Sequence, residues 1–174
     1  MDANSYDSKD GPKDGKKVFR KLGTCSRTFF HILNREFGHQ KELHECAADS
    51  LAGGIMQKGY QCGMLWGASL AVGAEAYRKY NNQNQAICAA INATQSLMQS
   101  FSKRENTTNC RDITKCDFSS KLSFMKYFFS GRFLHCYNLA DKWAPEAVKS
   151  AFEGLSNKEI VLSKGCVSCA TEVA

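Results

Sequence analysis

Apolar residues recur at three- and four-residue steps along most of the chain, and strict alternation persists nowhere, so the pattern predicts helices throughout. Residues 16–37 set Phe19, Leu22, Phe29, Phe30, Leu33 and Phe37 on one side. A break is expected near Gly23, a restart capped by Thr24 or Ser26, and an end at Gly38. Over 40–57 the residues Leu43, Cys46, Ala47, Leu51 and Ile55 share one face, which turns Cys46 inward. Helices over 62–80 and 83–103 follow, separated by the polar "NNQNQ"; the second carries Ile87, Ile91, Thr94, Met98 and Phe101 as its packing seam. Between residues 62 and 101 only Glu75, Arg78 and Lys79 are charged, so these two helices are expected at the buried centre.

Next, "KRENTTNCRDITKCDFSS" lacks apolar periodicity and reads as a surface connection. Two more helices are expected over 119–129 and 132–154. The last uses Leu134, Leu139, Trp143, Val148 and Phe152, with Pro145 kinking it or starting a new segment. The fold class is therefore all-α, a compact multi-helix bundle without internal repeats. Residues 1–15 have almost nothing to bury and read as a disordered tail, 16–157 form the helical domain, and 158–174 are a C-terminal tail with a CxxC.

Length adds that a chain of 174 residues can build its core without cross-links, so its nine cysteines need another explanation. Their odd number argues against a fully paired disulfide framework. The start, "MDANSYDSKDGPKDGKK", lacks the apolar stretch of a signal peptide, which gives the expectation of a cytoplasmic, reducing location. The longest uncharged run, Cys62 to Ala74, is too short for a bilayer, so no membrane span is expected. The charge of +6 is modest, and its cations, among them Lys16, Lys17, Arg20, Lys21, Lys103, Arg104, Arg111 and Lys115, lack an interleaved aromatic nucleic-acid motif. No nucleic-acid partner is expected. A solvated surface is the commoner reading of such charge, and a docking face for an acidic electron-transfer partner the sharper one. The phenylalanines of "FMKYFFSGRF" suit a homodimer contact if they are not core.

The chemistry centres on cysteine. Cys62 follows the turn "KGYQ" and opens a helix, where unpaired amides and the dipole lower a thiol's pKa. Gly63, Gly67 and Ala71 form a stripe that lets a backbone or a cofactor approach closely; on residues alone, simple helix packing is the commoner reading. His44 and His135 stand beside Cys46 and Cys136, where a histidine can hydrogen-bond a sulfur. Cys25 and Cys88 fall within helical patterns and read as core packing. Asp112 and Asp117 read as caps. There is no carboxylate pair, Ser-His-Asp order or phosphate-cradling loop, so no enzymatic activity is assigned.

"HECAADSLAGGIMQKGYQCGMLWGASLAVG", "NCRDIT" and "FLHCYNLADKWAPEA", spread over about residues 43–153, resemble the redox-active family called C_GCAxxG_C_C, named for its cysteines. The pattern is also similar to the cluster-binding part of split-Soret cytochromes c. The resemblance points to Cys46, Cys62 with Gly63 and Gly67, Cys110 and Cys136; Met64 stands where the family has alanine. It implies a redox cofactor, electron transfer and a redox partner protein. A c-type haem does not carry over, because the only CxxC, Cys166 to Cys169, is followed by Ala170 rather than histidine. An iron-sulfur cluster, [2Fe-2S] or [4Fe-4S], needs four thiolates, and Cys46, Cys62, Cys110 and Cys136 supply four. They lie 16, 48 and 26 residues apart, so tertiary folding must gather them. Zinc accepts the same ligands but usually uses close CxxC pairs, which ranks it lower. The alternatives are a metal-free thiol-disulfide protein, cycling Cys46–Cys62 or Cys110–Cys116, or a helical partner-binding module. The tail pair Cys166 and Cys169 could serve as a redox shuttle or as extra metal ligands, an exposed tail being the commoner reading, and Cys116 has no assigned role beyond the pairing with Cys110.

Overall fold

The computed structural model describes residues 11–156, so the expected C-terminal tail and most of the N-terminal one lie outside it. Its elements are α1 (Gly15–Leu22), α2 (Cys25–Glu36), α3 (Glu42–Cys46), a 3-10 turn (Asp49–Leu51), α4 (Gly63–Lys79), α5 (Gln83–Glu105), α6 (Cys110–Thr114), α7 (Lys121–Phe129) and α8 (Phe133–Ser156). Among the described residues there is no strand, only an isolated bridge between Gln61 and Asn109. The all-α reading is correct.

Gly23 separates α1 from α2 with a left-handed φ of 83°, which a side chain would resist. Asp14, just before α1, binds the Arg35 guanidinium through both oxygens at 2.8 and 3.0 Å, fastening the start of the bundle to α2. Thr24 takes the N-cap position of α2, but its hydroxyl donates to Asp49 Oδ1 at 2.6 Å instead of capping. That bond holds the start of α2 against the 3-10 turn.

α4 lies between α2 and α5, and α8 runs along α5 to reach α1. Trp143 of α8 is fully buried, stacked on Phe29 at 4.6 Å and edge-on to Phe101 at 4.7 Å, and its indole N–H donates to Ser100 Oγ at 3.0 Å. Burying each such side chain stabilises the fold by about 1.5–3 kcal/mol. α8 continues helically through Pro145, so no new segment starts there.

Two expectations need correction. The seam of α5 is Ala86, Ala89, Ala93, Leu97 and Phe101, whereas Ile91 and Met98 are 47% and 38% exposed. The alanine face wins because α8 comes too close for anything larger: a Cβ on Gly154 would overlap the Ala93 backbone. The helix expected over 40–57 also fails. It stops at Cys46, Leu43 is 81% exposed, and Gly53, Gly54, Ile55, Met56 and Gln57 have φ of 67, 70, 58, 47 and 61°. Five successive left-handed residues cannot continue a right-handed helix. The run is closed by Gly59 N–H to Gly53 O at 2.9 Å and Tyr60 N–H to Gly54 O at 3.2 Å.

Candidate functional site

The left-handed run leads the chain into an antiparallel clamp. Cys62 N–H donates to Thr108 O at 2.7 Å, Cys110 N–H to Tyr60 O at 2.6 Å, and Arg111 N–H to Gly59 O at 3.0 Å. Two cysteines 48 residues apart are thereby set side by side by backbone alone. Cys62 is the N-cap residue of α4 and Cys110 the first residue of α6.

Both line a cavity of about 190 Å³, and so do Cys25 and Cys136. Cys25 is the first residue of α2 and Cys136 lies in the first turn of α8. Each of the four thiols therefore sits at the N-terminal end of a different helix. Phe19, Met64, Phe118 and Leu139 supply apolar wall, and Tyr127 of α7 closes one side with its hydroxyl 3.7 Å from Cys136 Sγ. Cys62 and Cys110 are buried, Cys25 and Cys136 half-buried.

The expected set thus assembles in part. Cys62, Cys110 and Cys136 share the cavity; Cys46, at the end of α3, is not on it, and Cys25 is. Cys25, expected as packing, does pack against the core and also lines the cavity. A signal was present: Gly23-Thr24-Cys25 is a turn glycine and an N-cap residue followed by a cysteine at the helix start, and Cys62 likewise sits at a helix start a few residues after a glycine, Gly59. Tyr127 and Phe118 gave no such signal. Cys88 is buried on α5 and does not line the cavity, while Cys116 is buried next to Cys110, its Sγ contacting Ser123 O at 3.6 Å. Neither histidine reaches the site: His44 is exposed, and the His135 ring is tied to Glu105 at 2.9 Å.

The small-residue stripe has a definite purpose. A Cβ on Gly63 would come within 2.5 Å of Cys25 Sγ, and one on Gly67 would overlap the carbonyl oxygen of Ser26. The glycines of α4 therefore admit the beginning of α2 and the sulfur it carries.

Electrostatics runs against the expected low pKa of Cys62. Burial pushes its thiol well above 9.0, the neighbouring Cys25 and Cys110 add to this, and the Met64 N–H at the helix start opposes them without prevailing. Burial likewise raises Cys110 to about 12 and Cys136 to about 11, with Cys25 contributing to both and the Tyr127 hydroxyl pulling Cys136 back. Cys25 is raised by burial too, although the N–H groups of Gly53, Ser26 and Gly63 favour its thiolate. The metal-free chain holds four protonated thiols around one space, each disfavouring ionisation of the others. Among the described residues, no group of three or more His, Cys, Asp or Glu side chains stands at metal-ligating spacing.

No helix among the described residues is long and apolar enough to cross a membrane. No curated protein and no solved structure matches the chain. The family described as "Putative redox-active protein (C_GCAxxG_C_C)" matches residues 24–150, a span that opens one residue before Cys25 and contains all four cavity cysteines; the chain belongs to this family.

Proposed function

We propose that the protein carries single electrons on an iron-sulfur cluster held by Cys25, Cys62, Cys110 and Cys136. The observation that supports this best is the convergence of four thiols, each from the N-terminal end of a different helix, on one apolar cavity. Sulfur donors suit iron-sulfur chemistry, and four is the number that either common cluster takes. A cluster bound through four thiolates is an anion, and bound there it would supply reversible one-electron chemistry. Several of the chain's own groups would favour such an anion, although the four thiols do not stand at the spacing of a single-metal site. Backbone N–H groups of Gly53, Ser26 and Gly63 lie around Cys25 Sγ and that of Met64 beside Cys62 Sγ, and α2, α4 and α8 turn their positive ends toward the cavity. The Tyr127 hydroxyl adds a contact to Cys136. Phe19, Phe118 and Leu139 limit water, which lowers the local dielectric and strengthens each of these interactions.

A thiol-disulfide protein without metal would use the same cysteines. The raised thiols count against it, since a thiol kept protonated near neutral pH is a slow attacker on a disulfide.

Anaerobic purification and reconstitution, followed by absorbance, iron and acid-labile sulfide assay and EPR of the reduced protein, tests the proposal. Stoichiometric iron and sulfide are expected, lost in Cys25→Ser and kept in Cys46→Ser. A chain that takes up no iron, or one whose cluster depends on Cys46 and not on Cys25, overturns it.

A further inference from the structure

α7 is unusual for this bundle, because none of its residues is buried although it is rich in apolar side chains. Ser123 and Tyr127, one helical turn apart, are the only residues of α7 that are not exposed, and Phe124 and Phe128 make ring contacts with Phe118 and Phe133. At 100° per residue, Leu122, Met125 and Phe129 fall on the opposite, outward side, with Lys121 and Lys126 flanking them. Leu122 is 79% and Phe129 85% exposed.

The charge around this face is one-sided. From residue 115 to 132 the cations are Lys115, Lys121, Lys126 and Arg132 and the only acid is Asp117, itself held by Arg111 at 3.5 Å. Lys115, Lys121 and Lys126 are exposed, and none of the three is in an ion pair among the described residues. An apolar centre with a basic rim suits an oppositely charged surface. A second copy of this chain is a poor occupant, since a two-fold contact through the same face would set its lysines against their own copies.

The patch is also the thin cover of the cysteine cavity. Tyr127, on the inward side of α7, reaches Cys136 Sγ, and Phe118, which lines the cavity, packs against Tyr127 at 5.5 Å and against the exposed Phe124 at 6.4 Å. A donor docked on the outward face of α7 is separated from the thiols by this one helix, whose inward Tyr127 touches Cys136 Sγ.

We propose that the outward face of α7, with its lysine rim, is the docking site for an acidic one-electron carrier protein, for which flavodoxin serves as the probe. This rests on the iron-sulfur reading: one electron leaves the reduced carrier and enters the cluster, and no atom is transferred.

The test uses the full chain, both cluster-loaded and metal-free, with reduced flavodoxin as the probe. Calorimetry should show binding at about 0.05 M salt that is lost at about 0.5 M. Stopped-flow reduction by flavodoxin should slow by about tenfold or more in Lys121→Glu/Lys126→Glu and in Phe129→Ser. Reduction by dithionite, which needs no docking face, should be unchanged, and circular dichroism should confirm folded variants. Absence of flavodoxin binding, or binding indifferent to these substitutions, overturns the proposal. So does self-association through α7 in sedimentation, or a preference for phosphatidylglycerol vesicles over flavodoxin. If the chain takes up no iron yet binds flavodoxin through these lysines, the cluster reading fails and the docking surface stands. Loaded protein that fails to bind sinks the docking surface alone.

Discussion

Two glycines of α4, Gly67 and Gly73, should respond to alanine with opposite signs. Replacing glycine by alanine inside a helix gains about 0.8–1 kcal/mol from propensity, and that gain is common to both positions. At Gly73 a Cβ would meet nothing within 4 Å, so the whole gain should appear, raising the melting temperature by roughly 2–4 °C for a chain of this size. At Gly67 the Cβ would overlap the Ser26 carbonyl oxygen and lie 2.8 Å from its carbon and 3.0 Å from Phe30 N. These are backbone atoms of α2, so no rotamer change relieves the overlap and the helix itself must retreat. Overpacking costs about 1–3 kcal/mol, and a backbone obstacle belongs at the upper end. Subtracting the propensity gain leaves Gly67→Ala about 2 kcal/mol less stable than wild type, and about 3 kcal/mol below Gly73→Ala. Urea denaturation of the metal-free protein measures both. Because Cys25 opens the displaced helix, iron uptake should fall in Gly67→Ala and stay constant in Gly73→Ala. A Gly67→Ala protein as stable as Gly73→Ala would refute the argument that this stripe exists to admit α2.

The raised thiols make stability depend on pH with a definite sign. The unfolded chain releases its cysteine protons near the ordinary value of 9.0, whereas the native metal-free chain keeps them to about 11 at Cys136 and about 12 at Cys110. The native state therefore holds more protons in that window, so this contribution is complete below about pH 9 and is lost as pH rises through 11 to 12. Denaturant midpoints that do not fall between about pH 8 and 10.5 would contradict it. Tyr127→Phe removes the hydroxyl beside Cys136 Sγ, a contact worth about 0.7 kcal/mol, half of what a tenfold change requires. Alkylation of Cys136 in the metal-free protein should slow roughly threefold, and the potential of the loaded protein should drop; unchanged alkylation would show that the contact has no electrostatic effect.

The helical class was legible because long periodic segments carry it, and α4, α5 and α8 appear within a few residues of the expected boundaries. Which face of α5 is buried was not legible. Apolar size pointed to Ile91 and Met98, but close approach to Gly154 selects by smallness, which periodicity does not weigh. The segment after Cys46 failed for a different reason. Its apolar spacing is helical, and only the Gly53-Gly54 pair hinted that the backbone turns left-handed there. Three of the four cavity cysteines followed from the family resemblance; the fourth, Cys25, was hidden by a helical pattern that made its thiol look like filler.

The backbone clamp between 60–62 and 108–110 also bears on how the protein matures. Its two arms are separated by the whole of α4 and α5, so it closes only after that long hairpin has formed, at the entropic cost of a large loop. Cys25 and Cys136 come from outside the clamp, 37 residues before Cys62 and 26 after Cys110. Ligands packed into a short motif can catch a metal on a nascent chain and fold around it. Here the reverse order is expected: the bundle forms first on Phe29, Phe101 and Trp143, and iron added to the refolded metal-free protein should bind as well as iron present during refolding.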